Sequence, residues 1–239
     1  AGILRPEAAI GAHLRAAQWC DADLRCGAAV HDWQADPDGI RVIVDDEVIS
    51  AATLVLTPGP WAAKLTRLNL PMRVQRRVQH YWRASDPALL SSARLPVWIW
   101  EYGPGQMAYG LPEVDSGGIK AALHHGAEAV DPDEGAQPAR TEEIAYLRDW
   151  LAGHLPTLAD GGWLRSEPCL YTLTPDEHFV LGHHPQHANV VVACGFSGHG
   201  FKFSPVVGEI IADLVSTGST GHPIGLFDPT RFSSVGGAR

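Results

Sequence analysis

The sequence predicts a mixed α/β (α+β) chain in which helices and buried strands flank a segment of antiparallel sheet. The first and last thirds alternate strand-length apolar runs with helix-like stretches, the pattern of α/β layers. The middle, from about Pro71, is rich in aromatic and β-branched residues broken by glycine turns, as antiparallel sheets are. Hydrophobic residues make up 45% and charged residues 19%, a globular balance.

Each element has a local reason. "RPEAAIGAHLRAAQWC" reads as a helix, with Pro6 suited to a first helical position and Glu7 to the positive helix end. "GAAVHDWQADPDGIRVIVDDEVISAATLVLTPG" reads as strands, with Asp38-Gly39 as a hairpin turn and Ile40, Val42 and Val44 on one face. "ATLVLTPGPW" is a short apolar run ending in a glycine turn, which fits a buried strand with something docked at its end. "MRVQRRVQHYWRA" and "LPVWIWEYGPGQMAYGLP" read as antiparallel strands, and Trp98, Trp100 and Tyr102 suit either a pocket wall or the sheet core. His124 to Ala139 is loop-like by its Pro, Gly and acids. "TEEIAYLRDWLAGHLP" reads as a helix capped by Thr141, with Ile144, Leu147 and Leu151 as its apolar stripe. "HANVVVACG" is a continuous apolar run, expected to be buried on both faces. "SPVVGEIIADLVSTG" follows as a helix with Ser204 as N-cap, Pro205 at its start and Gly218 past its end.

The bulk numbers exclude several partners. The 239 residues carry a formal net charge of -9, which disfavours nucleic acid because phosphate binding needs a basic face. No apolar run reaches the roughly 20 residues of a membrane span. The start, "AGILRPEAAI", has no charged leader before an apolar core, so no signal peptide is expected. Cys20, Cys26, Cys169 and Cys194 match no zinc spacing and no small disulfide scaffold, which points to reduced thiols and a cytoplasmic location.

Three stretches offer chemistry. The first, "CGFSGHGFKFSPVVGEIIADLV" (194–215), runs from an apolar strand through a glycine turn into a helix. Helix-start amides attract anions, glycines admit a planar ligand, and Lys202 adds a charge; tight closure of the turn explains the glycines equally well. In the second, "EPCLYTLTPDEHFVLGHHPQH", the histidines 178, 183, 184 and 187 could ligate a metal, but Gly182 and Pro185 break any helical spacing. A surface loop with solvated histidines at 183, 184 and 187 is the plainer expectation. In the third, "YGLPEVDSGGIKAALHH", Lys120 is either a solvated cation or a stabiliser of a developing anion. No G-x-S-x-G elbow is present, which argues against a hydrolase.

Together these stretches resemble the monomeric sarcosine oxidase and N-methyltryptophan oxidase family of FAD-dependent amine oxidases, within the D-amino-acid oxidase superfamily. The likeness is strongest over "CLYTLTPDEHFVLGHHPQHANVVVACGFSGHGFKFSPVVGEIIADL" and continues more weakly back to residue 1. It implies that 1–70 and 165–239 form the remaining part of a FAD-binding domain of the glutathione-reductase-like type, and 71–164 an antiparallel-sheet substrate domain. It implies FAD as cofactor, bonded through Cys169, with Gly59 and Trp61 closing around it and Gly198, His199, Gly200, Phe201 and Lys202 lying against the flavin. Tyr109, Tyr171 and His124 match residues lining the amine site, Lys202 the partner of the substrate carboxylate, and Lys120 the lysine that promotes dioxygen reduction. The implied partners are an amino acid or amine substrate and dioxygen. The family's N-terminal βαβ segment with G-x-G-x-x-G is missing from this sequence. A missing N-terminal segment or a partner chain is therefore expected, with self-association through exposed sheet edges. A truncated, cofactor-free ligand-binding or interaction module on the same scaffold is the alternative.

Overall fold

The structure is a computed structural model that describes residues 2–36, 38–114, 117–124 and 128–232. The helices are α1 (Pro6–Trp19), α2 (Ala62–Leu65), α3 (Thr141–His154), α4 (Pro156–Gly161) and α5 (Ser204–Thr217). The strands are β1 (Val30–Asp36), β2 (Gly39–Val44), β3 (Glu47–Ala51), β4 (Leu54–Leu56), β5 (Arg73–Trp82), β6 (Trp98–Gly103), β7 (Gln106–Leu111), β8 (Ile119–Leu123), β9 (Trp163–Leu173), β10 (Val180–His184) and β11 (His187–Cys194). By its contacts the chain divides into two compact units, Ala1–Ile3 with Val74–Leu170, and Leu4–Arg73 with Tyr171–Arg239. No helix of the described residues is long and apolar enough to cross a membrane.

The first unit is built on a five-stranded sheet in the order β6-β7-β8-β5-β9. Directly opposed residues share a sheet face, so register assigns the faces. One face carries Trp82, Ile119 and Ala121, and these pack on Leu147 and Leu151 of α3 and Leu158 of α4. Trp98 belongs to this face through its pairing with Gly110, whose missing side chain leaves room for the indole. Trp98 stacks on Trp150 at 6.1 Å, Trp100 meets His154 edge-on at 4.8 Å, and Tyr102 tilts against Trp150 at 5.4 Å. All three aromatics therefore pack towards α3.

Arg76 fastens β5 to α3 and the loop before it. Only 7% exposed, it grips both Glu143 oxygens at 2.7 and 2.9 Å and donates to the Gln137 and Pro138 carbonyls at 2.8 and 2.6 Å. Thr141 is not the N-cap of α3. Arg140 holds that place in an extended conformation, and the Glu143 carboxylate accepts from its backbone N–H at 2.8 Å, so the helix begins at Thr141 itself.

The second unit holds α1, α2, α5, the meander β1-β2-β3 and the sheet β10-β11-β4, in which β4 and β11 run parallel. Register places Asp36 opposite Gly39, so Gly39 opens β2 and is not one of the turn residues that the sequence suggests. The uninterrupted apolar run of β11 is divided between two cores. Val190, Val192 and Cys194 pack with Trp33, Ile40 and Leu56, while Val191 and Ala193 pack under Val207, Ile210 and Leu214 of α5. A strand covered on both sides needs no polar alternation.

Ser204 does not cap α5. A 3-10 turn over Phe201–Phe203 runs straight into the helix, so Ser204 is already helical and Phe203 takes the cap position. Gly218 ends α5 in the left-handed conformation, as expected. The histidine loop is also corrected. Residues 180–194 form the β10–β11 hairpin, and His184 is only 2% exposed. Its Nε2 donates to the Thr66 carbonyl at 3.0 Å and its Nδ1 accepts from the Gln186 N–H at 3.2 Å. Burial pushes its pKa down, which favours this neutral form.

Candidate functional site

The second face of the five-stranded sheet carries most of the chemistry of the first unit. Cross-strand pairs Ile99↔Tyr109↔Ala122 and Leu111↔Lys120↔Tyr81 assign these residues to the face opposite α3 and α4. Gln79 joins them by alternation along β5. The Lys120 ammonium lies 5.3 Å from the centre of the Tyr109 ring. His124 meets the same ring edge-on at 6.1 Å and is held at the end of β8 by its N–H to the Met107 carbonyl at 2.8 Å. On β9, Cys169 is half-buried, and Gln79 Nε2 donates to its sulfur at 3.6 Å. Tyr109, Lys120, His124 and Cys169, each picked from sequence, thus come together here.

Electrostatics on this face oppose charge burial. Desolvation lowers the pKa of Lys120, against the pull of the Cys169 thiolate and Glu167. Desolvation raises the pKa of the Cys169 thiol, and Gln79, Lys120 and Arg77 pull it back. Cys194 differs: buried between the core side chains of β11, its thiol is pushed up to about 12. Cys20 and Cys26 are exposed.

The second unit gathers a different group at one sheet edge. Because β4 and β11 are parallel, the segments after both leave at the carboxyl edge, where α/β folds commonly bind ligands. After β4 come Gly59 and the exposed Trp61; Gly59 has φ 53° and nothing within 4 Å of where a Cβ would stand. After β11 comes the turn of Gly198, His199, Gly200, Phe201 and Lys202. Gly198 has φ 78°, and a Cβ there would lie 2.1 Å from the Tyr171 ring; one at Gly200 would meet Phe196 at 2.5 Å. The two glycines thus seat the protein's own aromatics on their inner side, while Gly198, His199, Phe201 and Lys202 remain exposed. Lys202 folds back to donate to the His199 carbonyl at 2.8 Å. Tyr171 follows Cys169 by two positions on β9.

Sequence reading missed Gln79 and Arg77. The available signal was strand alternation, which puts 77, 79 and 81 on one face of β5. Among the described residues, no group of three or more His, Cys, Asp or Glu could hold a metal ion.

Comparison with known proteins gives this geometry a context. The chain is similar to monomeric sarcosine oxidase of Streptomyces avermitilis, 39% identical over 98% of this chain and 62% of that protein. It is 30% identical to N-methyl-L-tryptophan oxidase of Salmonella enteritidis, over 97% of this chain and 62% of that protein. Among solved structures it is similar to NikD, an unusual amino acid oxidase essential for nikkomycin biosynthesis, with a TM-score of 0.79 and 28% identity over 92% of this chain and 58% of that one. The chain therefore spans about three fifths of the length of these relatives. Residues 1–214 match the FAD dependent oxidoreductase family, and the chain belongs to that family.

Proposed function

We propose that this chain supplies the amine-binding face and part of the cofactor site of a flavin-dependent oxidase acting on a secondary or N-methyl amino acid, with dioxygen as electron acceptor and hydrogen peroxide as product. The juxtaposition of Lys120, Tyr109, His124 and Cys169 on one sheet face carries this reading. The residues of this face suit a flat, electron-rich group: a half-buried thiol with a desolvated cation near it. A bound flavin would supply the acceptor for a hydride equivalent from the amine carbon, leaving an imine for water to hydrolyse.

The chain's own residues bind, orient and stabilise charge. Tyr109, Tyr171 and His124 line the amine, Tyr109 also shielding Lys120 from water. Lys202, released from His199, meets the substrate carboxylate. Lys120 places positive charge where dioxygen gains its first electron, in surroundings that exclude water and so strengthen the attraction. Cys169 would hold the flavin by a covalent bond from its sulfur. Gly59, Trp61, Gly198, His199, Gly200 and Phe201 flank it with main chain and rings. We assign the ADP half of the cofactor to a segment or partner chain corresponding to the remaining length of the relatives.

The test is acid precipitation of FAD-loaded protein, paired with a peroxide assay on sarcosine and N-methyltryptophan. Flavin colour that stays with the pellet, is lost in Cys169→Ser, and accompanies peroxide production supports the reading. A chain that takes up no FAD at high concentration supports the cofactor-free binding module instead.

A further inference from the structure

We propose that Gln79 is a positioning residue for Cys169, holding the thiol in one orientation on the sheet face opposite α3 and α4 and stabilising its thiolate for attack on the flavin methyl carbon. This rests on the covalent role proposed for Cys169. Gln79 sits on β5, the strand adjacent to β9, and its carboxamide N–H points to the sulfur at 3.6 Å. Around the same sulfur, Lys120 comes from β8 and Arg77 from β5. Their positive charges are fixed by side chains that already serve other contacts: Lys120 faces Tyr109, and Arg77 donates to Gln75 at 3.0 Å. Gln79 donates a hydrogen bond to the thiol, so it sets the direction of the sulfur while the cations set the field. A neutral donor suits this task, because it favours the anion without adding a further charge to desolvate.

The step balances as follows. The thiol S–H and one methyl C–H are lost and an S–C bond forms. The flavin ring takes up the two electrons and two protons released. Dioxygen then accepts both pairs as hydrogen peroxide and returns the flavin to its oxidised state.

The experiment follows alkylation of Cys169 by iodoacetamide across pH, in a Cys20→Ser/Cys26→Ser background because those two thiols are exposed. Peptide mass spectrometry reports modification at Cys169 alone. Gln79→Met keeps the side-chain length and removes the donor; Gln79→Glu puts an anion in its place. The expected order of rate at pH 8 is Gln, then Met about fivefold slower, then Glu slower still, with the pH midpoint of alkylation moving upward in the same order. Thermal melts of the three variants separate this from loss of fold. Midpoints that coincide in Gln79 and Gln79→Met overturn the proposal, since packing alone leaves the midpoint in place. Acid-stable flavin is scored separately in the FAD-loaded protein. Its complete absence with shifted midpoints sinks the covalent role of Cys169 and leaves the positioning of the thiol standing.

Discussion

Lys120 shows how burial changes what one side chain can do. On an exposed face it would be a hydrated cation with little reach. Here desolvation lowers its pKa and Tyr109 covers it at 5.3 Å, so its charge acts through a less polar medium. In the active, flavin-loaded protein, Lys120→Met is expected to slow reoxidation by dioxygen by about 10²-fold while slowing anaerobic reduction by the amine far less. Stopped-flow measurement of the two half-reactions checks this, and equal slowing of both removes Lys120 from the oxygen step. Gly198 makes a second residue-scale test. Its φ of 78° and the 2.1 Å approach to Tyr171 leave no room for a methyl group. Gly198→Ala is expected to cost about 2 kcal/mol or more, lowering Tm by several degrees. At this scale Lys120 was legible only as one of two alternatives, a solvated cation or a stabiliser of a developing anion, and Cys169 only through the family resemblance. Gln79 was not, since its meaning comes from the strand it faces, and register between distant strands leaves no trace in local spacing.

At the scale of elements, the Arg76–Glu143 pair is the clearest determinant of how α3 meets the sheet. The Arg76 guanidinium beside Glu143 lowers the Glu143 pKa from 4.5 to about 2. A carboxylate with a depressed folded-state value adds stability above its unfolded value and loses it as pH falls through the folded one. The pair should therefore contribute fully above pH 4.5 and fade towards pH 2, on the order of 3 kcal/mol in all. Glu143→Gln is expected to lower Tm at pH 7 and to flatten the stability curve between those limits. Denaturant titrations at several pH values check it, and an unchanged acid slope counts against the pair. Local propensity located α3 and α5 well, yet both caps were misread by one residue. Thr141 and Ser204 are good caps by type, but a carboxylate reaching back at 143 and a 3-10 turn at 201–203 decided the boundaries. The β10–β11 hairpin was obscured because histidines beside Gly182 and Pro185 read as loop. The local Gln186 N–H and the Thr66 carbonyl, far away in sequence, together explain why His184 can be buried.

For the whole molecule, the mixed architecture was readable because strand and helix periods differ, whereas the placement of burial was not. α1 is the instructive case. It has a proper proline start and apolar residues at Ile10 and Leu14, four positions apart as on one helix face, yet none of its residues is buried. A helix of the same length, α3, buries Leu147 and Leu151 under the five-stranded sheet. Sequence alone treats the two alike, because periodicity says which face could be covered and nothing about what covers it. Stability should separate them. Leu14, 45% exposed, makes no core, so Leu14→Glu is expected to change unfolding free energy by no more than about 0.5 kcal/mol. Leu151, fully buried between Trp82 and the helices, should cost about 2–5 kcal/mol on truncation to Ala, from lost burial and the cavity left behind. Paired denaturant melts of the two variants decide the matter. A loss of several degrees for Leu14→Glu would show that α1 packs against a core in solution, and a neutral Leu151→Ala would remove the hydrophobic cluster that holds α3 to the sheet.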